Sequence, residues 1–189
     1  IEDAAGRRYM DFHGNNVHHI GYGHPRLLAA VKRQMDELPY TPRRFTSEPA
    51  VALAKKLAEI APGNLGKMLF ATGGSDAIDM ALKLARAATG RFKTVSFWDS
   101  FHGAGFGGMS VGGEFLFRGN LGPLLPGTEH VAPFACYRCP YGYKDIEGRP
   151  DLDHCHVACA DMVRYVLQKE KDVAAVIADE RSVGAQRMR

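Results

Sequence analysis

The stretch between residues 67 and 98 restricts the possible folds more than any other part of the chain. A short apolar run, Lys67-Met68-Leu69-Phe70-Ala71, ends in Thr72-Gly73-Gly74, and a helical pattern follows at once through Ile78, Ala81, Leu82, Ala85 and Ala88 to Gly90. Thr94-Val95-Ser96-Phe97-Trp98 then gathers β-branched and aromatic residues into a second block of strand type. Strand, glycine turn, helix and strand in that order predict a βαβ unit, which brings a parallel sheet with it. The expected fold class is therefore α/β.

The flanking segments agree. From Pro25, Leu28, Val31, Met35 and Leu38 recur at helical spacing with one face to bury, and Pro39 ends the pattern. Thr46 and Ser47 are possible caps for a second helix over about residues 49–61, with Leu53, Leu57 and Ile60 on one face. A last helix is predicted over about 158–169, with Cys159, Met162, Val163 and Val166 together, leading into a fully buried strand over 173–178. Between Asp99 and Pro150 the chain is too irregular for regular elements and too apolar for a linker, a combination typical of functional loops.

Composition removes several classes of function. With 189 residues, 46% of them hydrophobic and 24% charged, the chain can bury one real core, which excludes disorder, collagen and a disulfide-stapled miniprotein. The net charge of +3 comes from scattered basic residues balanced by 21 acidic ones, so no nucleic-acid footprint is expected. No apolar stretch approaches the roughly 18 to 20 residues that cross a bilayer, and Ile1-Glu2-Asp3 is charged where a signal peptide would be apolar. The expectation is a cytoplasmic protein with no membrane partner. An opening at Ile1 and an unpatterned ending over 181–189 suggest a piece of something longer.

Chemistry points first to the glycine turn. Where a strand ends in Gly73-Gly74-Ser75 and a helix starts, unpaired backbone N–H groups converge and the Ser75 hydroxyl adds a donor, so a phosphate would fit. The same residues also make an ordinary turn and N-cap without a ligand. The pattern is neither Gly-x-Gly-x-x-Gly nor a Walker loop, which weakens dinucleotide and nucleoside-triphosphate readings. After the strand over 94–98, Phe101 and His102 emerge at the carboxyl edge of the sheet, where open α/β folds bind ligands. Phe101 could stack on a planar cofactor or sit in the core; His102 could serve the site or be structural.

Several segments in order carry a resemblance. They are Asp3 to Gly6 with Tyr9-Met10-Asp11-Phe12, Gly21-Tyr22-Gly23-His24-Pro25, the segment from Pro49 to Pro62, Thr72-Gly73-Gly74-Ser75-Asp76-Ala77, Ala81-Leu82-Lys83-Leu84-Ala85-Arg86, and Phe101-His102-Gly103. Through them the chain resembles class III pyridoxal-phosphate-dependent aminotransferases, of the aspartate aminotransferase fold type, over about residues 3–178. The resemblance implies a partial large domain of a pyridoxal-phosphate (PLP) transferase, a parallel-rich sheet flanked by helices, with an N-terminal segment of the small domain. The parts would be an N-terminal segment and connecting helix over 1–45, a partial cofactor-binding domain over 46–178, and an atypical tail over 179–189. It also implies pyridoxal 5'-phosphate as cofactor, held at Gly73, Gly74, Ser75, Phe101 and His102. The intact protein would be a homodimer moving an amino group between an amino compound and a 2-oxo acid.

The departures matter as well. Phe101 stands where most members have tyrosine and Asp76 where most have glutamate; stacking survives the first change, a hydroxyl contact does not. Ile177-Ala178 continues into Asp179-Glu180 rather than Glu-Pro, and the family's pyridine-facing aspartate and cofactor-bearing lysine have no counterparts here. Lys83 and Lys93 match neither position, so this chain alone is expected not to transaminate. The Gly-Gly-Ser-Asp-Ala-Ile version and Cys136-Tyr137-Arg138-Cys139-Pro140 look closest to a subgroup with phosphonate-related ammonia-lyases and dialkylglycine decarboxylase-like enzymes. Lyase or decarboxylase chemistry on the same scaffold is therefore the alternative.

Cys136, Cys139, Cys155 and Cys159 are spaced Cys-x2-Cys, fifteen residues, Cys-x3-Cys, close to a zinc ribbon. A noncatalytic zinc-binding module is thus a rival of a different class. In the resembled family the Cys-Tyr-Arg-Cys-Pro loop recurs without a metal in the chemistry, so no metal ligand is assigned. Nor do His13, His18, His19 and His24 have spacing that suits a metal-binding helix face.

Overall fold

A computed structural model of the chain describes residues 1–12, 14, 19–42, 44–144 and 147–179. His13, His18 and the tail beyond Asp179 lie outside the described residues. The chain divides into two compact units, Ile1–Met68 and Leu69–Arg189.

In the first unit, α1 (Pro25–Glu37) begins with proline in its first turn and α2 (Glu48–Ile60) follows Ser47 at its N-cap. The expected apolar stripe of α1 is present, but Leu28, Val31, Met35 and Leu38 are all exposed and the helix buries none of its residues. Periodicity specifies a helix; burial needs an opposing surface, which the described residues do not give it.

The second unit is an α/β layer structure. It contains α3 (Gly74–Thr89), β1 (Lys93–Phe97), α4 (Phe106–Val111), α5 (Phe115–Arg118), β2 (Thr128–Val131), α6 (Leu152–Cys155), α7 (Ala158–Glu170) and β3 (Val173–Val176). The three strands form a parallel sheet in the order β2-β1-β3. Central β1 is buried on both faces. Val95 and Phe97 join Val131 and Val173 in the core, covered by Phe134 and by Val163 and Val166 of α7. The Phe97 and Phe134 rings meet edge to face at 4.9 Å. Thr94 and Ser96, one residue out of phase, occupy the opposite face and are equally buried. Gly90, with φ of 67°, ends α3 in the left-handed region and turns the chain toward β1.

Two strand expectations need correction. Residues 67–71 form no strand: the segment makes no ladder in the sheet, and Leu69 and Phe70 are exposed. A strand exists only by pairing, and composition alone does not supply the partner. The strand over 173–178 is shorter than expected and only Val173 is buried, because β3 pairs on one side only, with β1. The irregular region after Asp99 also holds more order than its composition suggests, namely α4, α5 and β2. Glycines make this packing possible: a Cβ at Gly113 would lie 2.3 Å from the Phe97 carbonyl oxygen.

Candidate functional site: an anion nest and an aromatic at one sheet edge

β1 and β3 run in the same direction, so the segments that leave their carboxyl ends emerge together. Phe101 to Ala104 follow β1, and Ala178 and Asp179 follow β3. With Gly74, Ser75, Ala77 and Ile78 of α3 they line an open cleft of about 870 Å³. The structure thus brings Gly74, Ser75, Phe101 and His102 of the expected site residues into one cavity, with Gly73 as the N-cap immediately beside them.

The start of α3 is open. The Ala77 N–H donates to the Gly73 carbonyl at 3.0 Å and begins the helical ladder. Among the described residues, the N–H groups of Gly74, Ser75 and Asp76 make no hydrogen bond. No side chain caps the helix either, since the Asp76 carboxylate is engaged by the Thr72 hydroxyl. Gly73 is in extended backbone that any residue adopts, and a Cβ at Gly73 or Gly74 would meet nothing within 4 Å. Of the three residues, Gly74 and Ser75 line the cleft. Among the described residues no lysine or arginine lines the cleft, and what these residues offer an anion is main-chain dipoles and the Ser75 hydroxyl.

Ser75 is fixed by the loop after β1. Its Oγ accepts the Ala104 N–H at 3.2 Å, which leaves the hydroxyl proton to be donated elsewhere. The close approach depends on Gly103, whose φ is 118° and whose added Cβ would sit 2.4 Å from Ser75 Oγ. Phe101 is half-buried, its ring 4.4 Å from that of Phe117. His102 is almost wholly buried, with Nε2 3.5 Å from Ser96 Oγ. Burial lowers the His102 pKa from its ordinary 6.5, and the Asp179 carboxylate opposes that shift without cancelling it. The imidazole is therefore neutral at physiological pH.

Sequence reasoning missed Ala104 and Asp179 as parts of the site. Asp179 entered only as a departure from a family pattern. Its position just past the carboxyl end of a parallel strand was the available signal. Neither lysine considered earlier reaches the cleft. Lys83 lines a separate cavity of about 240 Å³ with Asp79 and Arg86, and Lys93 pairs with Glu129 and Glu170. Among the described residues, no helix is long and apolar enough to cross a membrane.

An (R)-1-hydroxy-2-aminoethylphosphonate ammonia-lyase of Vibrio splendidus is 50% identical over 186 residues, covering 95% of this chain and 39% of that protein. The solved (S)-enantioselective omega-transaminase of Thermomicrobium roseum matches with a TM-score of 0.83 at 28% identity, over 95% of this chain and 41% of its own. A taurine:2-oxoglutarate aminotransferase of Bifidobacterium kashiwanohense, solved with PLP and glutamate, matches with a TM-score of 0.81 at 30% identity, over 95% and 40% of the two chains. The chain thus spans about two fifths of the length of these relatives. A family model described as Aminotransferase class-III matches residues 1–185, and the chain belongs to that family.

Proposed function

We propose that the cleft holds pyridoxal 5'-phosphate, with the phosphate on the amides of Gly74, Ser75 and Asp76 and on the Ser75 hydroxyl, and the pyridine ring against Phe101. The observation that carries this reading is the uncapped start of a 16-residue helix whose residues Gly74 and Ser75 line the same cleft as Phe101. Gly73 sets the entry into that helix, and His102 contributes a neutral, fixed wall beside the ring. When bound, the cofactor would supply the electron sink that amino-group chemistry at carbon requires. What the chain's own residues supply is the grip, the ring orientation and a neutral proton inventory close to the ring.

In the whole protein we assign residues 1–45 to the N-terminal segment and 46–178 to the cofactor-binding domain, with a homodimeric, cytoplasmic enzyme as the working assembly. Its reaction is transfer of an amino group between an amino compound and a 2-oxo acid. One observation favours a second reading, ammonia release on the same scaffold: the 50% identity to an ammonia-lyase. The 189-residue chain alone is expected to bind the cofactor without a covalent link and without transamination, because no lysine among the described residues lines the cleft.

Titration of the chain with PLP, followed by equilibrium dialysis, tests the binding. Saturable uptake that inorganic phosphate competes away, and that borohydride does not render permanent, is the expected result. Uptake that neither saturates nor responds to phosphate refutes the site. For the whole protein, production of free ammonia without consumption of a 2-oxo acid would select the lyase reading over amino transfer.

A further inference from the structure

Among the described residues no group of three or more histidine, cysteine, aspartate or glutamate side chains could hold a metal ion, so the zinc-ribbon spacing of Cys136, Cys139, Cys155 and Cys159 is not realised as a metal centre. The unassigned feature of the second unit is instead the cavity of about 240 Å³ between α3, α4 and the loop that leads into β2. It shares no lining residue with the cleft at the start of α3. Asp79, Leu82, Lys83 and Arg86 line it at spacings of three and four, which puts them on one face of α3. Phe106 and Val111 of α4 and Leu125 of the loop make the rest of an apolar wall with Leu82. Leu82 and Val111 are buried, whereas Phe106 and Leu125 are exposed and leave hydrocarbon surface for a ligand to cover.

The hydroxyls around this cavity are already used. Ser110 Oγ accepts the Leu125 N–H at 2.9 Å while donating to the Phe106 carbonyl, which fixes the loop against α4. Thr128 Oγ1 lies 3.1 Å from Thr94 Oγ1. Asp79 packs against the first turn of α4, so closely that a Cβ at Gly107 would lie 1.8 Å from its Oδ1. The two cations are placed differently. Among the described residues neither the Lys83 nor the Arg86 side chain forms a hydrogen bond or an ion pair, and Arg86 Nε is buried without a partner. The Arg86 guanidinium carbon lies 4.3 Å from the centroid of the Phe92 ring, so packing and not an acceptor holds the group in place. Asp79 precedes Arg86 by two helical turns, roughly 10 Å along α3, and the negative and positive groups sit at opposite ends of the lined face.

We propose that this cavity binds one small monocarboxylate with a short hydrocarbon chain. The carboxylate meets Arg86 and Lys83, and the chain lies against Leu82, Phe106, Val111 and Leu125. A guanidinium presents a planar fork that matches two carboxylate oxygens, and one left short of acceptors favours an anion that brings them. Volume sets the size: at about 30 Å³ for each water-sized group the cavity takes about eight non-hydrogen atoms, those of a saturated acid of about six carbons. A bare oxyanion would leave the apolar wall uncovered, and an alcohol or an amine would leave the two cations unmatched. Neither Lys83 nor Arg86 lines the cleft, so the site stands whether or not the cleft takes a cofactor.

Hexanoate is the probe, titrated into the 189-residue chain and followed by ligand-observed NMR. Saturation at about one per chain is expected, with hexan-1-ol and hexylammonium at least roughly 10-fold weaker. Inorganic phosphate, which competes for the cleft in the cofactor reading, is expected to leave hexanoate bound. Lys83 reports the location without a variant: hexanoate should slow its acetylation several-fold, read by mass spectrometry, and leave that of the exposed Lys55 on α2 unchanged. Arg86→Gln should weaken hexanoate by roughly 10- to 100-fold in a chain whose circular dichroism matches the parent. Equal binding of hexan-1-ol, displacement of hexanoate by phosphate, or acetylation of Lys83 at its full rate overturns the site. So does undiminished hexanoate binding by Arg86→Gln. The ligand series and the acetylation need no substitution, so a poorly folding variant cannot obscure the outcome.

Discussion

Ser75 Oγ accepts the Ala104 N–H at 3.2 Å, and this single contact ties the first turn of α3 to the loop leaving β1. Because the oxygen serves as acceptor there, the hydroxyl can still donate its proton into the cleft. Ser75→Ala removes both functions. A hydrogen bond to a charged group contributes about 1.5–3 kcal/mol, so PLP affinity should fall by roughly 10- to 100-fold. Fold stability should change by no more than about 1.5 kcal/mol. Equilibrium dialysis and urea titration, run on the same preparations, separate the two.

Gly103→Ala should be worse than its size suggests. A methyl group there would lie 2.4 Å from Ser75 Oγ and 3.0 Å from Ser75 Cα, at a φ of 118° that L-residues rarely adopt. Backbone strain of this kind costs about 1–3 kcal/mol. Gly105→Ala is the control, since its Cβ would find only Ser75 Cβ, at 4.0 Å. Urea midpoints should fall for the first variant and barely move for the second.

Phe101 offers a graded test. Phe101→Tyr keeps the ring and should retain PLP uptake. Phe101→Ala loses stacking worth about 0.5–1.5 kcal/mol, a loss of roughly 2- to 10-fold in affinity. It also removes the partner of the Phe117 ring. Equal uptake by Phe101→Ala and the parent chain would take the ring out of the site.

Stability should depend on pH through His130 as well as His102. His130 stacks on Trp98 with ring centroids 4.5 Å apart, and its Nε2 lies 3.0 Å from the Gly112 carbonyl oxygen and 3.1 Å from Arg118 Nη1. Burial is the main cause of its lowered pKa; the contact with Gly112 opposes the shift and the Arg118 charge adds to it. The unfolded chain therefore binds more protons than the folded one below the ordinary histidine value of 6.5. The stability is fully present above that value and is lost as pH falls through the folded pKa. His130→Gln should flatten the dependence of the urea midpoint between about pH 5 and pH 7. An unchanged slope would contradict this account.

The helices were legible because their signals are local. Pro25 and Pro49 in first turns, Gly90 at a C-terminus and the stripe through Val163 and Val166 each act within a few residues. The site was legible for a related reason: Gly73-Gly74-Ser75 and Phe101-His102 are short segments adjoining predicted elements. What escaped was whatever depends on distant partners. Thr128 to Val131 is too short to announce a strand, and becomes one only because Thr94 to Phe97 lies alongside. Leu69 and Phe70 have strand composition but pair with none of the three strands. The antiparallel bridge between Lys144 and Pro150 likewise joins residues that no spacing rule pairs.

In the proposed site the peptide groups that meet the phosphate have nothing to titrate, and the one side chain that joins them, Ser75, is neutral. The site's hold varies with acidity only as the guest's own oxygens gain or shed protons, and it lasts as long as the chain enters α3 by the same path and Gly103 leaves room for Ser75. In the proposed site the coenzyme's mooring is separate from whatever selects the substrate, which suits a chain similar both to transaminases and to an ammonia-lyase.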